Sequence, residues 1–333
     1  MGEVVLVTGG GGFLGRRVVE LLLERGDEVR FVARGTYPEV EALGAVGRQV
    51  DLRDAKSVRD AVRGVDVVHH VAGKAGAWGP AEEYASINVD GTRNVIAACK
   101  AEGVGRLVYT STPSVIGYAH DAEGIEEAPY PARWESAYGE TKARAERAVL
   151  AANGEGLRTV SLRPHLVIGP RDTNLVPRVI ERAKAGSLRI VGDGTNKVDL
   201  TYVDNAAGAH LDAADALRDP SAPCAGRAYF ISNDEPVVLW DWVNDVLQQL
   251  GLPPVTKKVS MRTAAGLGAV MEFGHKLLGG EPRMTRFMAV AMARSHWYSM
   301  APAKRDLGYR IRVPLAEGTA RTVAWLREAG YGA

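Results

Sequence analysis

Cysteine is nearly absent from this chain. Cys99 and Cys224 are the only two in 333 residues, and neither stands at metal-ligand spacing, so no disulfide framework and no zinc site is encoded; a reducing, cytoplasmic compartment is expected. Long apolar runs are missing too. None reaches the roughly 18 residues that cross a bilayer. The most hydrophobic late segment, "TAAGLGAVMEFGHKLLGG", is interrupted by charge and glycine, which limits any membrane contact to a peripheral one. No block of like charge occurs. Lys and Arg number 41 against 40 Asp and Glu, interspersed, for a formal net charge of +1, which argues against nucleic acid or an anionic membrane as the main partner. The opening "MGE" leads straight into "VVLVTG" without the charged and apolar regions of a signal peptide, and Leu6 stands where a myristoylation signal needs Ser or Thr. No export signal or lipid anchor is expected, and the expected partner is a small molecule.

What is present is alternation. Short β-branched runs ("VVLVTG", "EVRFVA", "GRQVD", "VDVVHHVAG", "RLVYTS", "RTVSLRP") alternate with longer segments of helical periodicity, among them Phe13 to Arg25 and "EEYASINVDGTRNVIAACKAEG". This predicts an α/β fold, a doubly wound parallel sheet with helices on both faces. Beyond Pro170 the alternation weakens, Met and Trp become more frequent and helices dominate, which predicts a smaller, mainly helical C-terminal lobe. The expected division is residues 1–172 plus 196–235 for nucleotide binding and 173–195 plus 236–333 for substrate.

In "VTGGGGFLG" a strand feeds a glycine turn that opens a helix. Gly9, Gly12 and Gly15 serve a tight turn, close approach to a pyrophosphate and close packing of helix on strand, while the helix N-terminus attracts phosphate. Eighteen residues after Gly15, where a carboxylate would hold a ribose 2′-hydroxyl, stand Ala33 and then Arg34. The missing carboxylate and the added guanidinium favour NADP(H) over NAD(H), unless Arg34 is a solvated loop residue. Asp51, closing the third strand, accepts from an adenine amino group or is a turn residue.

"SAYGETKAR" puts Tyr138 and Lys142 four residues apart on one helix face. A free phenol ionises near pH ~10, and a neighbouring ammonium would bring it toward neutrality. With the glycine turn, "YTSTPSVIG" and "YGETK" in this order, and further matches in "DLRD", "HHVAG", "INVDGT", "LRPHLVIGP", "DLTYVDNAAGAH" and "KRDLGY", the chain resembles the extended short-chain dehydrogenase/reductase family. Within it the chain is similar to the 3β-hydroxysteroid dehydrogenase branch, and the loop "AGKAGAWG" is similar to that of bacterial reductases acting on 2-alkyl-3-oxoalkanoates in long-chain olefin biosynthesis.

The resemblance implies a Rossmann fold and an oxidoreductase. It makes Tyr138 the proton donor, Lys142 its electrostatic partner at the nicotinamide ribose, and Thr112, where Ser is usual, the hydroxyl that holds the carbonyl oxygen, with Ser111 as substitute. It also places Phe13, Leu14, Leu52, Ala72, Gly73, Asn88 and Pro164 along the cofactor; Asn88 could equally be satisfied within its helix. No metal is expected. The activity implied is NADPH-dependent reduction of a 2-alkyl-3-oxoalkanoic acid, with a sterol dehydrogenase as the alternative and a nucleotide-sugar epimerase or a non-catalytic cofactor sensor as weaker ones. Expected partners are a lipid-like ketone or alcohol, a second copy of the chain, and a multi-enzyme olefin-forming assembly.

For the substrate, Met284, Met288 and Met292 form a helical stripe with Phe287 and Trp297 near it in sequence, either core or the lining of a pocket for alkyl chains. Lys74, His165 and Arg171 are the candidates for meeting a substrate carboxylate.

Overall fold

The computed structural model describes residues 2–154 and 156–332, and at its centre lies a seven-stranded sheet. Its strands are β1 (Val4–Thr8), β2 (Glu28–Ala33), β3 (Val46–Gln49), β4 (Val67–His70), β5 (Arg106–Thr110), β6 (Arg158–Pro164) and β7 (Arg227–Ile231), in the order β7-β6-β5-β4-β1-β2-β3. All neighbours are parallel, with Val5 facing both Val29 and Val67. Val5, Leu6 and Val7 are almost fully buried, as the continuous apolar run of a strand covered on both faces requires. The predicted doubly wound sheet is therefore present.

Helix α1 (Phe13–Arg25) follows β1 and stops at Gly26, whose left-handed φ of 91° lets its amide reach the Leu22 and Leu23 carbonyls. Strand order reverses at β1, with β2 on one side and β4 on the other. Chains leaving β1 and β4 diverge there, so a crevice opens at the C-terminal ends of the strands.

The single helix expected over 82–103 is interrupted. An α-turn at Ala81–Tyr84 passes through a π-helical stretch, Ala85–Asp90, into α2 (Gly91–Glu102). At Gly91 the helix presses on Leu52, where a Cβ would come within 2.9 Å of the leucine Cβ. The π turn shifts Asn88 into register with the loop after β4, a use of such bulges common near functional sites.

Past residue 170 the chain alternates between two cores. Val203–Ala216 and β7 return to the large sheet, and residues 298–309 also contribute to its core, whereas Ile180, Trp240, Val243, Leu247 and Leu326 form a second buried cluster. Helices of the second cluster are Val176–Lys184, Leu239–Gln249, Met261–Leu278, Arg286–Ala291 and Leu315–Glu328, with strands there of only two to four residues. The division at 173–195 and 236–333 remains a proposal; this second cluster supports it except at residues 298–309, which pack on the large sheet. Helix Met261–Leu278 exposes Leu267, Val270, Phe273, Leu277 and Leu278, yet no helix among the described residues is long and apolar enough to cross a membrane.

Candidate active site

The crevice at the switch point is a cavity of about 740 Å³ walled by Gly9, Gly12, Phe13, Leu14 and Gly15 from the first turn, Ala33 and Arg34 from the end of β2, Asp51 and Leu52 after β3, and Ala72, Gly73 and Lys74 after β4. Gly9 has φ 73°, and a Cβ at Gly15 would lie 2.1 Å from the Gly9 carbonyl oxygen, so these two glycines let α1 start directly beneath the turn. Gly12, the N-cap, provides no side-chain cap, which leaves first-turn amides of α1 facing the cavity as an anion site. The Ala72 amide is fixed by donating to the Thr8 hydroxyl at 3.1 Å. This cradle fits the pyrophosphate and ribose of a dinucleotide. Arg34 stands exposed at its rim and, among the described residues, takes part in no ion pair. Tyr37, which the sequence did not single out, also lines the cavity and covers Gly11 so closely that a Cβ there would meet its ring at 2.3 Å. Asp51 is engaged by Arg53 through bonds of 2.5–3.0 Å, which hold its carboxyl down at about 2. Pro164 ends β6, and the cavity wall nearby is Val167 instead.

The catalytic candidates meet where β5 runs into helix α3 (Ala137–Ala151). Ser136 caps α3 by accepting from the Gly139 amide at 3.1 Å, and Gly139 packs where any Cβ would lie 2.7 Å from the Ser114 carbonyl oxygen. That contact presses the Tyr138 turn onto residues 112–116. Thr112 caps the 3₁₀ turn Pro113–Ile116, its Oγ1 accepting from the Ser114 amide at 3.2 Å and donating to the Ser114 hydroxyl at 3.3 Å. Lys142 is 4% exposed, donates to the Thr110 carbonyl at 2.5 Å and lies 4.2 Å from the centre of the Tyr109 ring.

Electrostatics here differ from the expectation of a lowered phenol. Burial raises the Tyr138 pKa and the Thr112 hydroxyl opposes it, while burial pulls the Lys142 ammonium down to about 7 against the attraction of Glu146. Both groups are desolvated in the same pocket, and the Lys142 ammonium is aimed at a carbonyl. Glu146 continues the spacing 138, 142, 146 along α3, a signal the sequence contained and that had not been used. Burial would raise its carboxyl, but the Arg163 guanidinium at 2.6 Å, with the Ser161 and Tyr130 hydroxyls donating at 2.9 and 2.7 Å, holds it below the ordinary range. The Ser111 hydroxyl, by contrast, is buried without a hydrogen-bond partner.

Asn88 accepts from the Lys74 amide at 2.7 Å and donates to the Lys74 carbonyl and the Thr141 hydroxyl, so its amide ties the β4 loop to α3. Two of the three carboxylate candidates have carboxylate partners within the chain. Lys74 pairs with Glu83 at 3.0 Å, and Arg171 grips both oxygens of Glu20 at 2.7 and 3.0 Å. His165 is buried with neither ring nitrogen hydrogen-bonded; burial and the nearby His296 push its pKa well down, so the ring is uncharged. Met288 does line a cavity, of about 390 Å³, whose walls include Val179, Leu188, Leu239, Trp240, Val243, Met292 and residues 75–77. A second cavity of about 560 Å³, containing Tyr138, lies between residues 77–81 and the end of helix Met261–Leu278. Among the described residues no cluster of three metal-binding side chains occurs.

A model of the 3-beta hydroxysteroid dehydrogenase/isomerase family matches residues 6–261. Of curated proteins, the 2-alkyl-3-oxoalkanoate reductase of Stenotrophomonas maltophilia (strain K279a) is 52% identical over 96% of this chain and 98% of its own. One of the same name from Shewanella oneidensis is 46% identical over 96% and 85%. Relatives with steroid or sterol names are 34–36% identical. Among solved structures, MoeE5 in complex with UDP-glucose and NAD superposes with a TM-score of 0.75 at 28% identity, over 98% of this chain and 99% of that one.

Proposed function

Because the chain belongs to the 3-beta hydroxysteroid dehydrogenase/isomerase family and is an NAD(P)-dependent oxidoreductase, we propose that it reduces a 2-alkyl-3-oxoalkanoic acid to the 2-alkyl-3-hydroxyalkanoic acid with NADPH. The observation that carries this reading is the Thr112, Tyr138 and Lys142 set, with Thr112 and Lys142 buried and Tyr138 half-buried in the wall of the 560 Å³ cavity, beside the Gly73 edge of a dinucleotide-sized crevice. The nicotinamide, when bound, supplies the hydride. Tyr138 gives its proton to the ketone oxygen as negative charge gathers there, and Thr112 donates a hydrogen bond to the same oxygen. The raised phenol pKa keeps that proton in place until the oxygen needs it. Lys142, in its charged form, stabilises the phenolate left behind. Ala33 and Arg34 support NADPH, since a 2′-phosphate meets a guanidinium and no carboxylate.

The test is oxidation of NADPH by the purified protein with a synthetic 2-alkyl-3-oxo acid, beside a 3β-hydroxysterol with NADP⁺ and a nucleotide sugar. Turnover of the keto acid alone is expected. Turnover of the sterol and not of the keto acid would refute the proposal.

A further inference from the structure

We propose that the substrate cavity is forked, and that residues 75–79 form the partition between two arms, each taking one alkyl chain of a substrate branched next to its ketone. The proposal rests on the reading above. One arm is the 390 Å³ cavity reached along Ala75, Gly76 and Ala77; the other is the 560 Å³ cavity reached along Ala77, Trp78 and Gly79. Ala77 lines both. The opposite side is divided in the same way, with Phe287 in the wall of the second arm and its chain neighbour Met288 in the wall of the first.

The partition is tied down at each end and in the middle. Asn88 holds the Lys74 backbone by both its amide and its carbonyl. The Tyr84 hydroxyl lies 2.8 Å from the Gly76 carbonyl oxygen and 3.1 Å from that of Trp78, and the Trp78 indole donates to the Gly280 carbonyl at 3.0 Å. Gly76 at φ 112° and Gly79 at φ 150° adopt backbone conformations that disfavour side chains. Tyr84 also packs edge-on to Tyr138, ring centres 6.4 Å apart, so the residue that holds the divider touches the catalytic phenol.

A ketone whose neighbouring carbon bears an alkyl group sends two chains from adjacent atoms in diverging directions. A rigid fused-ring substrate would need one continuous slot instead. The arms differ in character: the first is walled by Val179, Trp240, Val243 and Met292, while the second mixes Phe287 with His275 and Lys276.

Two keto acids test this. One carries methyl at C2 and a long chain beyond C3, the other a long chain at C2 and methyl beyond C3. Ala291→Trp fills the first arm and Ala81→Trp the second. Each variant is expected to lower kcat/KM for one compound at least about tenfold more than for the other, and the two variants should penalise opposite compounds. Val179→Trp, from a different helix, should reproduce Ala291→Trp, which guards against a local folding defect in either; melting curves accompany all three. Wild-type turnover of both compounds with variants that penalise the same compound, or that do not discriminate, overturns the fork alone. Wild type inactive on both overturns the proposed function and the fork with it.

Discussion

The reacting centre and the alkyl cavities, a few residues apart around Ala77, are built by opposite strategies. Around Tyr138 the key polar groups are held by named partners: Thr112 by the Ser114 amide, Lys142 by the Thr110 carbonyl, Glu146 by Arg163. The first arm, by contrast, is assembled from residues 75–77, 175–182, 239–243 and 288–292, mostly apolar and with few directional bonds. Proton and hydride transfer tolerate errors of well under ~1 Å, so their groups come from short segments with strict spacing. An alkyl chain asks only for shape and dryness, which many apolar combinations supply.

The sharpest way to break this contrast is at the phenol. Tyr138→Phe removes the proton donor and should cut kcat by about 10²–10⁴-fold while cofactor affinity, read by fluorescence titration, stays near wild type. Near-normal turnover would move the chemistry elsewhere. Next in size is cofactor choice at the far end of the same crevice. Arg34 should give the wild type a preference for NADPH over NADH of about ten- to a hundredfold in kcat/KM, from roughly 1.5–3 kcal/mol of charge-assisted hydrogen bonding. Ala33→Asp combined with Arg34→Ala should invert it, as initial rates with both cofactors will tell. On the apolar side Met288→Lys should raise KM for long-chain substrates about tenfold, with little change for short ones and little loss of melting temperature. A large fall in melting temperature without chain-length dependence would make Met288 core.

The smallest effect concerns what the polar side costs. Lys142 titrates at about 7 in the fold against 10.5 for an ordinary lysine. Between those values the unfolded chain binds the extra proton, so stability rises with pH across that window and the burial cost is fully present below about pH 7. Lys142→Met should therefore raise the melting temperature by a few degrees below about pH 7 and by much less near about pH 10. An equal gain at both pH values would show that the ammonium is not penalised by burial.

Much of the fold was legible because its signals are local. The β1 run and the α1 periodicity ended by Gly26 each follow from neighbouring residues. The interruption at Ala85–Asp90 was not, because the contacts made there, Asn88 with the Lys74 backbone and Gly91 with Leu52, lie outside the helix's own sequence. The same holds for the candidate site. Lys74, His165 and Arg171 carry suitable chemistry as residue types, and only the tertiary structure shows that Lys74 is paired with Glu83, His165 is buried beside His296 and Arg171 is held by Glu20.

The amino-acid sequence by itself determined the alternation of strands and helices, the glycine cradle, and the Tyr138 and Lys142 spacing, since each depends on residues within a turn or two of chain. Only the tertiary structure decided that burial raises Tyr138 and lowers Lys142, and that two cavities share Ala77 in their walls. Those outcomes depend on desolvation and on surfaces brought together from segments up to about two hundred residues apart, and the free energy of a buried charge or a shaped void belongs to the assembled neighbours and not to any one stretch of chain.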